Sequence, residues 1–184
     1  MAKRRKLDFI VDKLTNSIEN TLTGDKIETE IIRLLEDDAP NLRKLEWAFD
    51  WVEEFQEPHR KVYALTTKER PLVWQGLTCS EDLGDHIFMH LIESAPFNVG
   101  RDKLYDGVAG NLVAFLCKTS FEKGYQGIVA FEAKTRLIKH YEETLKAQRI
   151  SGSRMFIDTR EAYQLVIQYF PEFDNDRPGK IEMG

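Results

Sequence analysis

The sequence predicts one α/β (α+β) domain with a mixed sheet. Three observations carry that reading. Residues 61–93 hold three strand-like runs separated by short turn signals, the pattern of an antiparallel meander. After residue 100 strands and helices alternate. The length of 184 residues, 42% of them hydrophobic, suits one core that needs neither disulfides nor a structural metal. Residues 1–170 form the expected domain. Residues 171–184, with Asp-Asn-Asp-Arg-Pro-Gly inside them, read as a loose tail.

In order, the apolar run at 7–12 suits an opening strand, and 15–26, ending in Thr-Gly-Asp, a loop. Residues 29–35 fit a strand or a helix. Asp38-Ala-Pro-Asn starts a helical turn, because Asp caps and Pro suits the first turn. Over 46–55 two periodicities coexist: Trp47, Phe49 and Trp51 alternate like a strand, while Ala48, Val52 and Phe55 suit a helix. The meander strands are expected at 61–68, 72–79 and 86–93, with Gly76 marking a bulge and Leu83-Gly84-Asp85 a hairpin turn. Val108, Leu112, Phe115, Leu116 and Thr119 then fall at helical spacing and stop before Gly124. A buried strand follows at 125–131, and Thr135 is the expected N-cap of a helix carrying Leu137, Ile138, Tyr141 and Leu145. Ser151-Gly-Ser is a turn and 155–158 a strand. Thr159 caps a last helix, which ends before Pro171.

Charge excludes some functions. The net charge of −5 argues against a surface devoted to nucleic acid. Acids outnumber bases eleven to four over 25–57, whereas bases outnumber acids eleven to seven over 101–160, so an anionic ligand would favour the second region. The basic run at 3–6 reads as a frayed, solvated terminus. The longest apolar run, 112–117, is six residues where a membrane span needs ~20. No apolar segment follows the start, so the expected location is cytoplasmic, with no membrane partner. Homodimerisation stays open.

Chemistry-bearing residues are few. On a strand His86 and His90 stand about 13 Å apart, beyond any shared ion, and no metal is expected. Cys117 lies in an apolar helix and Cys79 ends a strand, so neither reads as a nucleophile. The informative stretch is Asp106-Gly107-Val108-Ala109-Gly110-Asn111-Leu112. Small residues there follow a loop and open a helix, which leaves backbone N–H groups uncovered at the positive end of the helix dipole. Such a turn can cradle a pyrophosphate or be an ordinary tight turn.

Together with the meander before it, this loop resembles the GCN5-related N-acetyltransferase (GNAT) superfamily. Gly107-Val108-Ala109-x-x-Leu112 is similar to the family's Gly-x-Gly/Ala-x-x-Leu core, and 141–147 to its Tyr-Glu-Lys-Leu-Gly-Phe segment. The chain also resembles a GNAT-like bacterial group through Thr-Asn-Ser-Ile-Glu-Asn at 15–20 and His-Leu-Ile-Glu-Ser-Ala-Pro-Phe-Asn at 90–98. Departures are plain. Leu104 stands where a basic residue or Gln is usual, Lys146 replaces a common Gly, and Lys134 or Thr135 replaces the Asn opening the second helix. The sequence reads as helix after 158, where the family usually adds a strand.

The resemblance implies a mixed central sheet with helices on both faces, acetyl-CoA or another acyl-CoA as co-substrate, and a small-molecule or peptide amine as acceptor. It implies cofactor contacts from Gly107, Val108, Ala109, Gly110, Asn111, Leu112 and Thr135. Tyr141 becomes a candidate acid for the leaving thiolate, and Glu93, at the end of the third meander strand, a candidate base. Each has a structural alternative: Tyr141 sits on an apolar stripe with Leu137 and Leu145, and Glu93 suits the solvated end of a strand equally well. The other implied function is a non-catalytic module that binds CoA or a protein partner.

Overall fold

The structure, a computed structural model, describes residues 5–174. Its main sheet has seven strands, in the spatial order β3 (Thr29–Leu34), β4 (Arg60–Thr67), β5 (Gly76–Asp82), β6 (Ile87–Ser94), β8 (Val129–Glu132), β10 (Arg154–Ile157) and β9 (Gln148–Ser151). The meander is there as expected: β4, β5 and β6 pair antiparallel, with β3 on the outer edge of β4. The meander's middle strand starts four residues later than predicted, because Leu72 lies exposed in the approach. Its bulge is at Cys79/Ser80, not at Gly76. Gly76 serves packing instead: a Cβ there would stand 2.6 Å from Val108 Cγ1.

The helical turn expected at Asp38 belongs to a 3-10 stretch (Glu36–Lys44), and the ambiguous segment 46–55 resolves into a short helix α1 (Trp51–Gln56). Asp50 caps that helix by accepting from the Val52 amide. The next helix, α2 (Val108–Glu122), is almost wholly buried, which is why its sequence is apolar on nearly every side. It ends in a left-handed Gly124 (φ 82°), where the Gly124 amide donates to Phe121 O and the Tyr125 amide to Ser120 O, a Schellman stop. That exit consumes residues 125–128, so strand β8 begins at Val129 and runs to Glu132.

β8 is parallel to β6 and antiparallel to β10 (Arg154–Ile157). Beyond β10 lies β9 (Gln148–Ser151), all four of whose residues are exposed. The extra strand therefore precedes 155–158 and does not follow it. Helix α3 (Ile138–Thr144) starts after a 3-10 turn, and Thr135 does not cap it; helix α4 (Thr159–Tyr169) is capped by Asp158, not Thr159. The predicted loop 15–26 instead contributes β1 (Ile18–Asn20) and β2 (Lys26–Ile27), which form a small sheet with β7 (Tyr105–Asp106). Pro171–Asp174 forms a further turn with Phe173 buried against Phe121, so this stretch belongs to the core; the rest of the expected tail lies outside the described residues.

The parallel pair β6–β8 holds for only Ile87↔Val129 and Phe88↔Ala130. From Met89 to Ser94, about 20 Å of strand at ~3.3 Å per residue, β6 has no strand partner on that side among the described residues. The sheet splits there.

Candidate active site

The loop at 107–112 lies beside the split. Gly107 adopts φ 88°, a left-handed conformation that suits glycine, and no side chain caps the helix it opens. Val108 and Leu112 turn away from the loop and pack on β5 at Gly76. Asn111 is 1% exposed; its Nδ2 donates to Thr29 Oγ1 at 3.5 Å, and its Oδ1 has no partner among the described residues. Gly107, Ala109 and Gly110 complete the small-residue surface. A Cβ on Gly107 would collide with Thr15 Oγ1, and one on Gly110 with the Tyr169 hydroxyl. Thr15 and Leu14 therefore cover this end of α2. Thr135 is exposed on the turn after β8, and no hydrogen bond ties its side chain to this loop.

The expected opening strand at 7–12 turns out to be an extended strap lying in the split. Leu7 forms a parallel bridge to Ala133: its amide donates to Glu132 O at 2.6 Å and its carbonyl accepts from the Lys134 amide at 2.9 Å. Leu7 and Val11 are both 3% exposed. Asp8 pairs with Lys134 at 2.6 Å and Asp12 with Lys103 at 2.9 Å. The Thr15 amide then donates to the Tyr169 hydroxyl at 2.9 Å. The basic run at the chain start is only partly described: Lys3 and Arg4 lie outside the described residues. Arg5 is no frayed end, because it bridges Glu53 and the buried Glu54 at 2.7 and 2.6 Å. Glu54 also holds Arg60 at 2.7 Å, and two guanidiniums are what make its burial tolerable.

Tyr141 lies under the strap. It is fully buried, stacks on Phe9 at 4.8 Å between centroids, and donates its hydroxyl proton to the Phe9 carbonyl at 2.7 Å. Burial, aided by the negative charge of Asp8, pushes its phenol well above the usual value. Glu93 sits half-buried at the end of β6, where the Ala48 and Phe49 amides and Trp51 Nε1 all donate to its carboxylate, at 2.6, 3.2 and 2.8 Å. It ties the segment before α1 to the sheet. Burial and the charge of Glu54 push the Cys79 thiol up, which keeps it protonated. His86 and His90 each have a carboxylate of their own, Asp85 and Glu81.

Two cavities flank the gap between strap and β6. One of about 780 Å³ lies among Arg5, Leu7, Phe49, Glu54, Leu91 and Ile92. The other, about 610 Å³, lies among Phe9, Asp12, Phe49, Glu93, Ser94 and Lys103. Tyr141 lines neither; the strap stands between it and both.

No protein-family model matches the sequence, and no curated protein matches it. Solved structures do match the fold. One is AtaTR bound with AcCoA, at TM-score 0.54 and 14% identity over 75% of this chain and 98% of that one. A mutant AtaT toxin bound to the C-terminus of the antitoxin AtaR and acetyl-CoA matches at TM-score 0.52, with 14% identity and the same coverage. A chimera of spermidine N-acetyltransferase SpeG from Vibrio cholerae and hSSAT matches at 0.50, with 15% identity over 74% and 98%. This chain has the GNAT fold. Within that fold, the meander and the loop opening α2 stand in the chain order that the sequence motifs implied. The strap is what the motifs did not reveal. Its only sequence signals are an apolar alternation at Leu7, Phe9 and Val11 and the acids Asp8 and Asp12, all compatible with an ordinary strand.

Proposed function

We propose that the chain moves an acyl group from acyl-CoA to a primary amine. The observation that supports this most is the uncapped α2 terminus, built of small residues, beside the split in the sheet. Three fold neighbours are, by name, bound to acetyl-CoA or N-acetyltransferases. In this reading the amides of Val108, Ala109 and Gly110 face the pyrophosphate, and Lys103 adds charge. The acyl end then reaches the cavity beside Glu93.

The chemistry asks little of the protein. The amine nitrogen attacks the thioester carbonyl, a C–N bond forms, the C–S bond breaks, and CoA leaves as a thiol carrying the proton that the amine gives up. Most of the acceleration comes from holding the amine against the carbonyl in a dry site. This reading assigns Tyr141 as the acid for the departing sulfur, once its hydroxyl is released from Phe9 O. The phenol stays protonated at neutral pH, so it can only donate. Glu93 holds the cavity wall through three donors and keeps one lone-pair site for a water relay to the amine. In this reading Thr135, exposed on the turn after β8, adds a hydroxyl contact to the cofactor.

The second reading, a module that binds CoA or a protein without turnover, is favoured by the strap covering Gly107 and Tyr141. One experiment separates the two. The chain is mixed with acetyl-CoA and a panel of amines, including spermidine and lysine peptides, while heat and free thiol are followed. Thiol release that depends on an amine supports transfer; binding heat without thiol supports the module; neither signal removes both.

A further inference from the structure

The strap touches several groups along the route on which acyl-CoA would lie. It uses the free edge of β8 through Leu7, covers Tyr141 with Phe9, and gives Lys134 and Lys103 the carboxylates of Asp8 and Asp12. It ends with Thr15 over Gly107. Both lysines belong to the basic half of the sequence; Lys103 is also held by Asp106 at 2.8 Å, so Lys134 is the one whose charge the strap alone answers with a carboxylate at hydrogen-bond distance. Apart from the Thr15 amide's bond to the Tyr169 hydroxyl on α4, these contacts fall on or near positions that the acyl-transfer reading assigns to acyl-CoA.

We propose that residues 7–17 are a built-in occupant of the donor path, and that acyl-CoA binds only after this strap leaves it. The proposal rests on the acyl-transfer reading above. It makes the apparent affinity equal to the intrinsic affinity scaled by the fraction of molecules with the strap released. Anything that loosens the strap tightens acyl-CoA binding, and anything that pins it abolishes binding.

The test pins and loosens the strap in the intact chain, with acetyl-CoA as the probe and calorimetry as the readout. Leu7→Cys with Ala133→Cys places a thiol pair at the bridge between strap and β8. Oxidised, it should bind acetyl-CoA at least about a hundredfold more weakly than when reduced, and Leu7→Ala should bind about tenfold more tightly than the parent chain. Val11→Ala is a second loosening variant should Leu7→Ala fail to fold, and a thiol count shows whether the pair has closed. If it does not close, the loosening variants decide alone. Equal affinity in the oxidised and reduced forms, or no tightening in the loosened chains, overturns the strap proposal while leaving acyl-CoA binding standing. No binding by any form, up to millimolar acetyl-CoA, overturns the acyl-CoA reading and this proposal together.

Discussion

The Tyr141 hydroxyl makes one hydrogen bond, to Phe9 O, inside a stack of Phe9, Tyr141 and Phe131 rings. Tyr141→Phe keeps the stack and loses that bond, which is worth about 1 kcal/mol and should lower the melting temperature by roughly 2–4 °C for a chain of this size. If the hydroxyl also protonates the leaving thiolate, kcat falls by roughly ten- to a thousandfold. KM for acetyl-CoA should fall in the same variant, because the strap loses an anchor. Unchanged kcat with the expected melting shift would leave Tyr141 as packing alone. The sequence placed Tyr141 on an apolar stripe and left both roles open, and the fold shows why: the stripe and the partner carbonyl belong to segments 132 residues apart. Glu93 is a similar case. Its place at the end of the third meander strand was legible, but its three donors come from residues 48–51, a segment whose own periodicity was split.

Elements were legible where burial imposed a period. The meander and α2 are nearly all core, so their apolar spacing showed through. β9 has no buried residue and therefore no alternation to read. β1, β2 and β7 are two or three residues long, and only their pairing with one another defines them. The loop at 107–112 was visible as a row of small residues, but what those residues approach was not. Gly110 faces Leu14 and the Tyr169 hydroxyl, so Gly110→Ala should destabilise the chain by roughly 1–3 kcal/mol through overpacking, even though alanine is the better helix former. Urea denaturation measures this directly. A gain in stability would mean that strap and α4 pack more loosely on α2 than the structure shows.

At the scale of the whole molecule, the balance between a closed and an open donor path is the property on which the account turns. Stability should also carry a pH signature unrelated to the strap. Burial lowers the His90 pKa below its ordinary 6.5 despite the Glu81 bond. Between that value and the lower folded one, the unfolded chain binds more protons than the native one. Stability is therefore complete above about pH 6.5, falls as pH drops through that window, and falls no further on this residue's account below the folded value. Melting curves of the parent and of His90→Gln over pH 5–8 should differ in slope only in the acidic part; parallel curves would contradict the burial argument. The most direct test of the central claim is hydrogen exchange of the parent chain with and without saturating acetyl-CoA. The account predicts that binding slows exchange at the amides of Val108, Ala109 and Gly110 while speeding it at Leu7, Thr15 and Lys134, because the strap has left. Bound acetyl-CoA with the Leu7, Thr15 and Lys134 amides as protected as before would contradict it.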